Sequence, residues 1–441
     1  MKILKKIIKI FLLITKKKTF GFVSISNIIT NEEFAMASEL IKTDDQLLIN
    51  TFEKKFANLI GNGYVKSYSA GRMGFHELMK ILNIGNGDEV IVNSGNCAVM
   101  INAILDRGAN PIYSDVDLDT FGSCPIEIEK KISLKTKMIV AQHSFGIPCK
   151  IDKIKEIANK HKIFLLEDCA LTLESRFKEI KVGNYGDASL FSFDHTKPLN
   201  GFSGGAIYTK QKILYKKLQI AHQDLGALSK KKQRAMLRRH SLEQRLISSN
   251  NYKLLKIFDL IYSMRLRLGF ISPYLNENSG INNINCSYAY PSKMSTFTAN
   301  ILSNHIDKTW NKLKKLRERN SRILIKELKS TKLGDFIPQI YFDKNNEIVP
   351  LRLILYNKKA NYDLKKIFYS LINIDEIWFQ TPIISANLSS SDFGLNEKEL
   401  PKSIELGNHI INLPLDLNEK NLNELILRLK TLIKNNALEI N

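Results

Sequence analysis

Cysteine is scarce in this sequence, and what there is forms no pattern. Cys97, Cys124, Cys149, Cys169 and Cys286 are odd in number, scattered, and without a CxxC or Cys/His spacing. That excludes a disulfide framework and offers no zinc site, so no metal is expected and the compartment is read as reducing and cytoplasmic. No apolar run is long enough to span a bilayer. In MKILKKIIKIFLLITKKK the run is broken by Lys9, and no small-residue cleavage site follows that would complete a signal peptide. Internal repeats and extended low-complexity linkers are missing. So are zinc fingers and basic motifs interleaved with aromatics, which leaves a nucleic-acid partner resting on charge alone. Acidic residues are in deficit as well, 44 against 65 Lys and Arg, for a formal charge of +21. Such an excess suits nucleic acid, anionic lipid or an acidic small substrate, and composition does not choose among them.

What is present is a chain of 441 residues with 44% hydrophobic content, enough for a large core and a smaller partner domain. At about 100° per residue, Lys2, Lys5, Lys6, Lys9, Lys16 and Lys17 share one arc of a helix, opposite Ile3, Leu4, Ile7, Ile10, Phe11 and Ile14. This is the pattern of a helix lying in a membrane interface, or of one docked on the protein's own core. Residues 1–45 are therefore read as a basic amphipathic extension. The middle of the chain alternates short apolar runs, DEVIVNS, NPIYSDV, KMIVAQH, IFLLEDC, ASLFSFD and GGAIYT, with amphipathic stretches such as AVMINAILDRG and KIDKIKEIANKHK. Strands alternating with helices predict an α/β fold with a mainly parallel sheet covered on both faces, whose ligands gather at strand carboxyl ends. Residues 211–275 show no strand pattern and are helical and strongly basic. A single long helix over 293–328 then leads to a smaller carboxyl-terminal domain, with a strand at IVPLRLILY and a last helix at NLNELILRLKTLIKN.

On this frame a few residues can carry chemistry. Asp168 ends an apolar strand, where a carboxylate needs a positive partner. Lys197 follows another strand end, and a lysine beside a cofactor aldehyde can form a Schiff base. Ser192 stands five residues before it. In SAGRMGFHELMKIL, Gly71 opens a helix, where amide groups and the helix dipole favour a phosphate.

The order of these residues, together with NIGNGDEVIV, GANPIYSDVDLDTF, AQHSFGIPCKIDKI, LLEDCA, VGNYGDASLFSFDHTKPLNGFSGGAIYT and LPKSIELGNHIINLPLD, resembles the DegT/DnrJ/EryC1/StrS sugar aminotransferases. These are fold type I pyridoxal phosphate (PLP) enzymes, with a mainly parallel sheet in a large domain and a smaller C-terminal α/β domain. The resemblance runs from about Thr51 to Ile433, apart from a stretch around 230–282 that looks like a basic helical insertion. It implies a large cofactor-binding domain over 46–292 and a linking helix with the small domain over 293–441. It implies that Lys197 is the Schiff-base lysine, that Asp168 pairs with the pyridinium nitrogen, and that Ser192 with the Gly71–Arg72 backbone cradles the phosphate. It further implies a homodimer, an amino-acid donor (glutamate), and a keto sugar on a nucleotide diphosphate as acceptor, for a surface polysaccharide or other glycan.

Three positions depart from the family pattern. Arg72 stands where Thr is usual, and could pair directly with the phosphate. Cys97 replaces a ring-stacking aromatic with a small polarizable thiol. Leu171 replaces the Gln or His that bonds the cofactor's phenolic oxygen. A sugar dehydratase is an alternative on the same scaffold, but such relatives typically replace the lysine with His. A non-catalytic binding or regulatory protein is another, favoured by Cys97 and Leu171. Basic segments near 2–17 and 230–270 add a further expectation, peripheral contact with the inner face of a membrane.

Overall fold

A computed structural model describes residues 29–248, 254, 261, 271–275, 286–358, 368, 371–372, 377–384 and 389–435. Among them the main element is a sheet in the order Gly226–Ala227, Ser292–Lys293, Tyr64–Tyr68, Gly205–Thr209, Ala188–Ser192, Phe164–Asp168, Thr136–Gln142, Glu89–Asn93 and Asn110–Ser114. The last five run parallel, and Gly205–Thr209 is antiparallel to both of its neighbours.

Side chains alternate between two cores. Val90, Val92, Met138, Val140 and Leu166 pack in one cluster with residues of the helices Gly71–Ile81, Ala98–Asp106 and Lys212–Gln223. Ile91, Ile139, Ala141 and Leu165 pack in the other with residues of Pro125–Lys130 and Ile151–His161. A strand covered on both faces has no position for a solvated side chain, so the parallel strands read as unbroken apolar runs.

The expected strands and the two quoted amphipathic helices lie where the pattern places them. One strand was not read at all, and two readings need correction. Tyr64–Tyr68, sequence YVKSY, is a central strand that the pattern hides because Lys66 is buried within it. A 2.9 Å ion pair with Glu53, itself buried, neutralises that lysine. The stretch 211–275 contains a two-residue strand, Gly226–Ala227, paired with Ser292–Lys293. Finally, 293–328 is not one helix. It opens on that strand and then divides into Thr296–Lys308 and Trp310–Lys329, with the break at Thr309. The first helix packs along Gln46–Ile60, whereas Trp310 turns inward so that its indole N–H donates to Glu174 at 2.6 Å.

Toward the carboxyl terminus, Arg352–Leu355 and Ile411–Pro414 form an antiparallel pair. They share a core with Leu324, Leu328, Leu422, Leu425 and Leu429 from the helices Trp310–Lys329 and Glu419–Asn435. The helix Pro401–His409 ties this part to the large sheet. Asp115, just past a strand end, accepts the N–H groups of Lys402 and Ser403 at 2.8 Å each, capping that helix from another part of the chain.

Of the basic insertion, the helix Lys230–Ser248 is described. It is docked. Lys232, Gln233, Met236, Leu237, Arg239, His240 and Glu243 are buried on one face, while Lys231, Arg234, Arg238 and Arg245 are exposed. The amphipathic segment 2–17 and most of 249–270 lie outside the described residues. Among the described residues no helix is long and apolar enough to cross a membrane.

Candidate active site

The carboxyl ends of the parallel strands open on a cavity of about 260 Å³, and its lining includes Gly71, Arg72, Cys97, Asp168, Leu171, Ser192 and Lys197. Asp168 and Ser192 are the last residues of adjacent parallel strands. Gly71 begins the helix that follows the strand Tyr64–Tyr68.

The glycine pair after Lys197 shapes one end of this cavity. A Cβ on Gly205 would lie 2.1 Å from the backbone nitrogen of Gly71, and Gly204 has φ +124°, so neither position accepts an ordinary side chain. Glycine here lets the start of the helix Gly71–Ile81 rest against the strand. No side chain caps this helix. A helix start of that kind, with Ser192 beside it, favours an anion.

Asp168 is 4% exposed. Its Oδ1 accepts the N–H of Ala170 at 2.9 Å. Burial raises its pKa, opposed by that hydrogen bond and by the charge of Lys197. The adjacent Glu167 is held differently. It accepts three backbone N–H groups, from Gly183, Tyr185 and Gly186 at 2.6–2.7 Å, and faces His143 Nε2 at 3.1 Å. His143 Nδ1 in turn accepts the N–H of Cys149 at 3.1 Å, which gives the imidazole an Nε2–H to donate. His143, Glu167 and Cys169 bring ligand-type atoms within 4.8 Å of one another. Burial keeps the Cys169 thiol protonated, and the other two groups are engaged in fixing the strand ends beneath Asp168.

Lys197 lies on the loop after Ala188–Ser192, with its ammonium 4.9 Å from the centre of the Trp378 ring. Two devices hold this loop. On one side Arg317, 0% exposed, donates from Nη1 to the carbonyl of Pro198 at 3.0 Å while Nε and Nη2 grip Asp416 at 2.6 and 3.0 Å. On the other the insertion helix docks: His195, paired with Asp194 at 2.5 Å, meets His240, which also stacks on Phe202. Glu243 completes the contact, accepting from Arg239 at 2.7 Å and lying 3.1 Å from His240. Burial opposes its ionisation, but His240, His195 and Arg239 outweigh burial and hold it at about 2.

Of the departing positions, Leu171 is 5% exposed and packs in the carboxyl-terminal core. Cys97 sits on a two-residue strand paired with Ile383–Ile384. Arg72 donates to the carbonyl of Leu275 at 2.5 Å.

Sequence reasoning missed Asn96, Gln142, Trp378 and Phe379, all in the lining. Trp378 carried a signal. It is one of only two tryptophans, adjacent to a phenylalanine, and its ring also has the Arg352 guanidinium 4.1 Å away.

The sequence model of the DegT/DnrJ/EryC1/StrS aminotransferase family matches residues 27–426. The chain is 39% identical over 167 residues to GDP-perosamine synthase of Escherichia coli O157:H7, covering 38% of this chain and 46% of that protein. It is 35% identical over 173 residues to dTDP-3-amino-3,6-dideoxy-alpha-D-galactopyranose transaminase of Aneurinibacillus thermoaerophilus, covering 39% and 48%. The chain thus spans about half the length of the curated relatives it matches. Its fold is that of an aminotransferase from Psychrobacter cryohalolentis, with a TM-score of 0.70 at 20% identity over 92% of this chain and 98% of the other. It is also that of NtdA from Bacillus subtilis, solved with the cofactor PMP bound, with a TM-score of 0.66 at 19% identity over 95% and 86%. The chain belongs to the DegT/DnrJ/EryC1/StrS aminotransferase family.

Proposed function

We propose that this chain is a PLP-dependent sugar aminotransferase that moves an amino group from glutamate to a keto sugar carried on a nucleotide diphosphate. The observation that carries the reading is the meeting of Asp168 and Lys197 in one cavity at the carboxyl ends of the sheet. The cavity suits the cofactor. A buried carboxylate with a raised pKa calls for a cation, which a protonated ring nitrogen supplies, and the uncapped helix start at Gly71 calls for an anion, which the phosphate supplies.

When bound, PLP supplies an electron sink for the carbon that loses its proton. The chain's own residues do the rest. Lys197 would hold the cofactor through Nζ, and its amine, when free, would be the base that carries a proton between the substrate carbon and the cofactor carbon. Asp168 keeps a positive charge on the ring nitrogen. Gly71, Arg72 and Ser192 fix the phosphate end, and Trp378 and Phe379 form an aromatic wall where Cys97 offers none. The excess of basic residues favours approach of a doubly charged diphosphate. The large cofactor domain over 46–292, the small domain over 293–441 and a homodimer are part of this reading.

Borohydride reduction of cofactor-loaded protein, followed by peptide mass analysis, places the label on Lys197. Adding glutamate shifts the absorption spectrum to that of the aminated cofactor. A label on another residue overturns the assignment of Lys197. A labelled protein whose spectrum does not respond to glutamate, or to other amino acids, is a binding scaffold.

A further inference from the structure

We infer, on the PLP reading above, that Glu243 of the insertion helix is a positioning residue for both ends of the cavity. It holds the loop of Lys197 through His240 and the guanidinium of Arg72 through Tyr274.

Glu243 is 5% exposed. Its Oε1 accepts from Arg239 Nε at 2.7 Å and from the Tyr274 hydroxyl at 3.1 Å, and its Oε2 lies 3.1 Å from His240 Nδ1. Arg239 and His240 belong to the same helix, whereas Tyr274 belongs to the chain that follows the insertion helix. A buried carboxylate met from these directions has one orientation open to it, and it fixes its neighbours in turn.

The first arm runs to Lys197. The His240 ring lies 5.3 Å from that of His195 and stacks on Phe202 at 4.8 Å, so it touches the loop on both sides of Lys197. The loop is closed on itself as well. Lys197 N–H donates to the carbonyl of Asp194 at 3.0 Å, and Gly201 N–H donates to that of Phe193 at 2.8 Å. Whatever fixes residues 195 and 202 therefore fixes Lys197, which lines the cavity together with Asp194 and Thr196.

The second arm runs to Arg72. Tyr274 is held along its whole length: its carbonyl accepts from Lys232 Nζ, its N–H donates to Ser272 Oγ at 3.2 Å, and its hydroxyl donates to Glu243. With its main chain and its side chain both set, the next carbonyl, that of Leu275, is set too. That carbonyl accepts from Arg72 Nη2. A guanidinium is a planar fork, so a fixed acceptor on one nitrogen aims the rest of it. Arg72 lines the cavity beside Gly71, at the end assigned to the phosphate. One carboxylate thus governs the spacing between that end and Lys197, the two points at which the chain grips the cofactor, and a grip at two points depends on their separation.

Pyridoxal phosphate and pyridoxal, the same ring without its phosphate, separate the two arms. Each is titrated into the full chain and its variants, and the label fixed on Lys197 by borohydride is measured. Tyr274→Phe is expected to lower the preference for pyridoxal phosphate over pyridoxal by about threefold and to leave the rate of labelling by pyridoxal at the parental value. His240→Ala is expected to slow labelling by both compounds alike. Glu243→Gln keeps the shape, loses the charge and is expected to do both, by about tenfold each, with Glu243→Asp recovering part of the loss. Hydrogen exchange of the cofactor-free chain is the second measurement. In Glu243→Gln, peptides covering 194–202 and 271–275 are expected to exchange faster, and those covering the parallel strands are not. An unchanged preference in Glu243→Gln overturns the inference, and so does exchange that quickens throughout the chain, as loss of a merely structural contact would produce. A parental chain in which neither compound labels Lys197 overturns the cofactor reading instead, and exchange alone then decides whether Glu243 holds the two segments.

Discussion

Asp168 and Asp416 are both carboxylates near the Lys197 loop, and their surroundings give them opposite tasks. Asp168 is desolvated and its one strong contact is a backbone N–H, so it is poised to hold a cation that arrives with a ligand. Asp168→Asn keeps the shape and loses the charge. It is expected to slow the half-reaction with glutamate by about 100-fold or more while circular dichroism stays that of the parent. A half-reaction at the parental rate would remove Asp168 from the role. Asp416 already has its cation, Arg317, gripped by two hydrogen bonds. Asp416→Asn leaves a guanidinium buried without its counter-ion, and a loss of about 3 kcal/mol in urea unfolding is expected. A loss of a few tenths would show that the pair is not buried in solution.

At the scale of elements, the insertion helix Lys230–Ser248 is a wall of the site's surroundings, and Lys232 gives it a measurable signature. This lysine is 3% exposed and donates to the carbonyls of Ser272 and Tyr274. Burial lowers its pKa to about 8, with Arg72 adding to the fall and Cys286 opposing it. Below pH 8 the folded and unfolded chains both hold the proton, and the cost of a buried cation is fully present. Between about 8 and 10.5 only the unfolded chain holds it, so stability rises with pH through that window, by up to about 3 kcal/mol. Lys232→Met is expected to abolish this rise. Denaturant melts of both proteins at pH 7.5 and 10 measure it, and parallel pH dependences would refute the burial of a charged Lys232. The parallel strands and their helices could be read because both-face burial leaves unbroken apolar runs, and Asp168, Ser192 and Lys197 could be placed because strand ends are where such sheets bind ligands. Tyr64–Tyr68 was hidden by a lysine whose neutralising partner, Glu53, lies outside the strand. Asn96 and Trp378 reach the cavity through tertiary pairing of 96–97 with 383–384, which leaves no local pattern.

For the whole molecule, docking of the insertion helix changes where a membrane contact can reside. Its buried cations are engaged by carbonyls and by Glu243, leaving Lys231, Arg234, Arg238 and Arg245 to face outward. Four cations without an apolar face bind anionic lipid weakly and in a salt-dependent way. Flotation with anionic vesicles is therefore expected for the full chain and lost when residues 1–28 are removed, whereas changing Arg234 and Arg238 to Ser has a small effect. Failure of the full chain to float at low salt ends the membrane reading. The grip of Arg317 on both Pro198 and Asp416 also sets a schedule for biosynthesis. The ribosome delivers residue 416 long after the lysine loop, at ordinary speeds of roughly 5–20 residues per second some 10–40 s later. Until then Arg317 reaches the carbonyl of Pro198 without its counter-ion, and a transcript truncated before that codon yields a polypeptide with every strand of the large sheet and a lysine loop braced by an unpaired guanidinium.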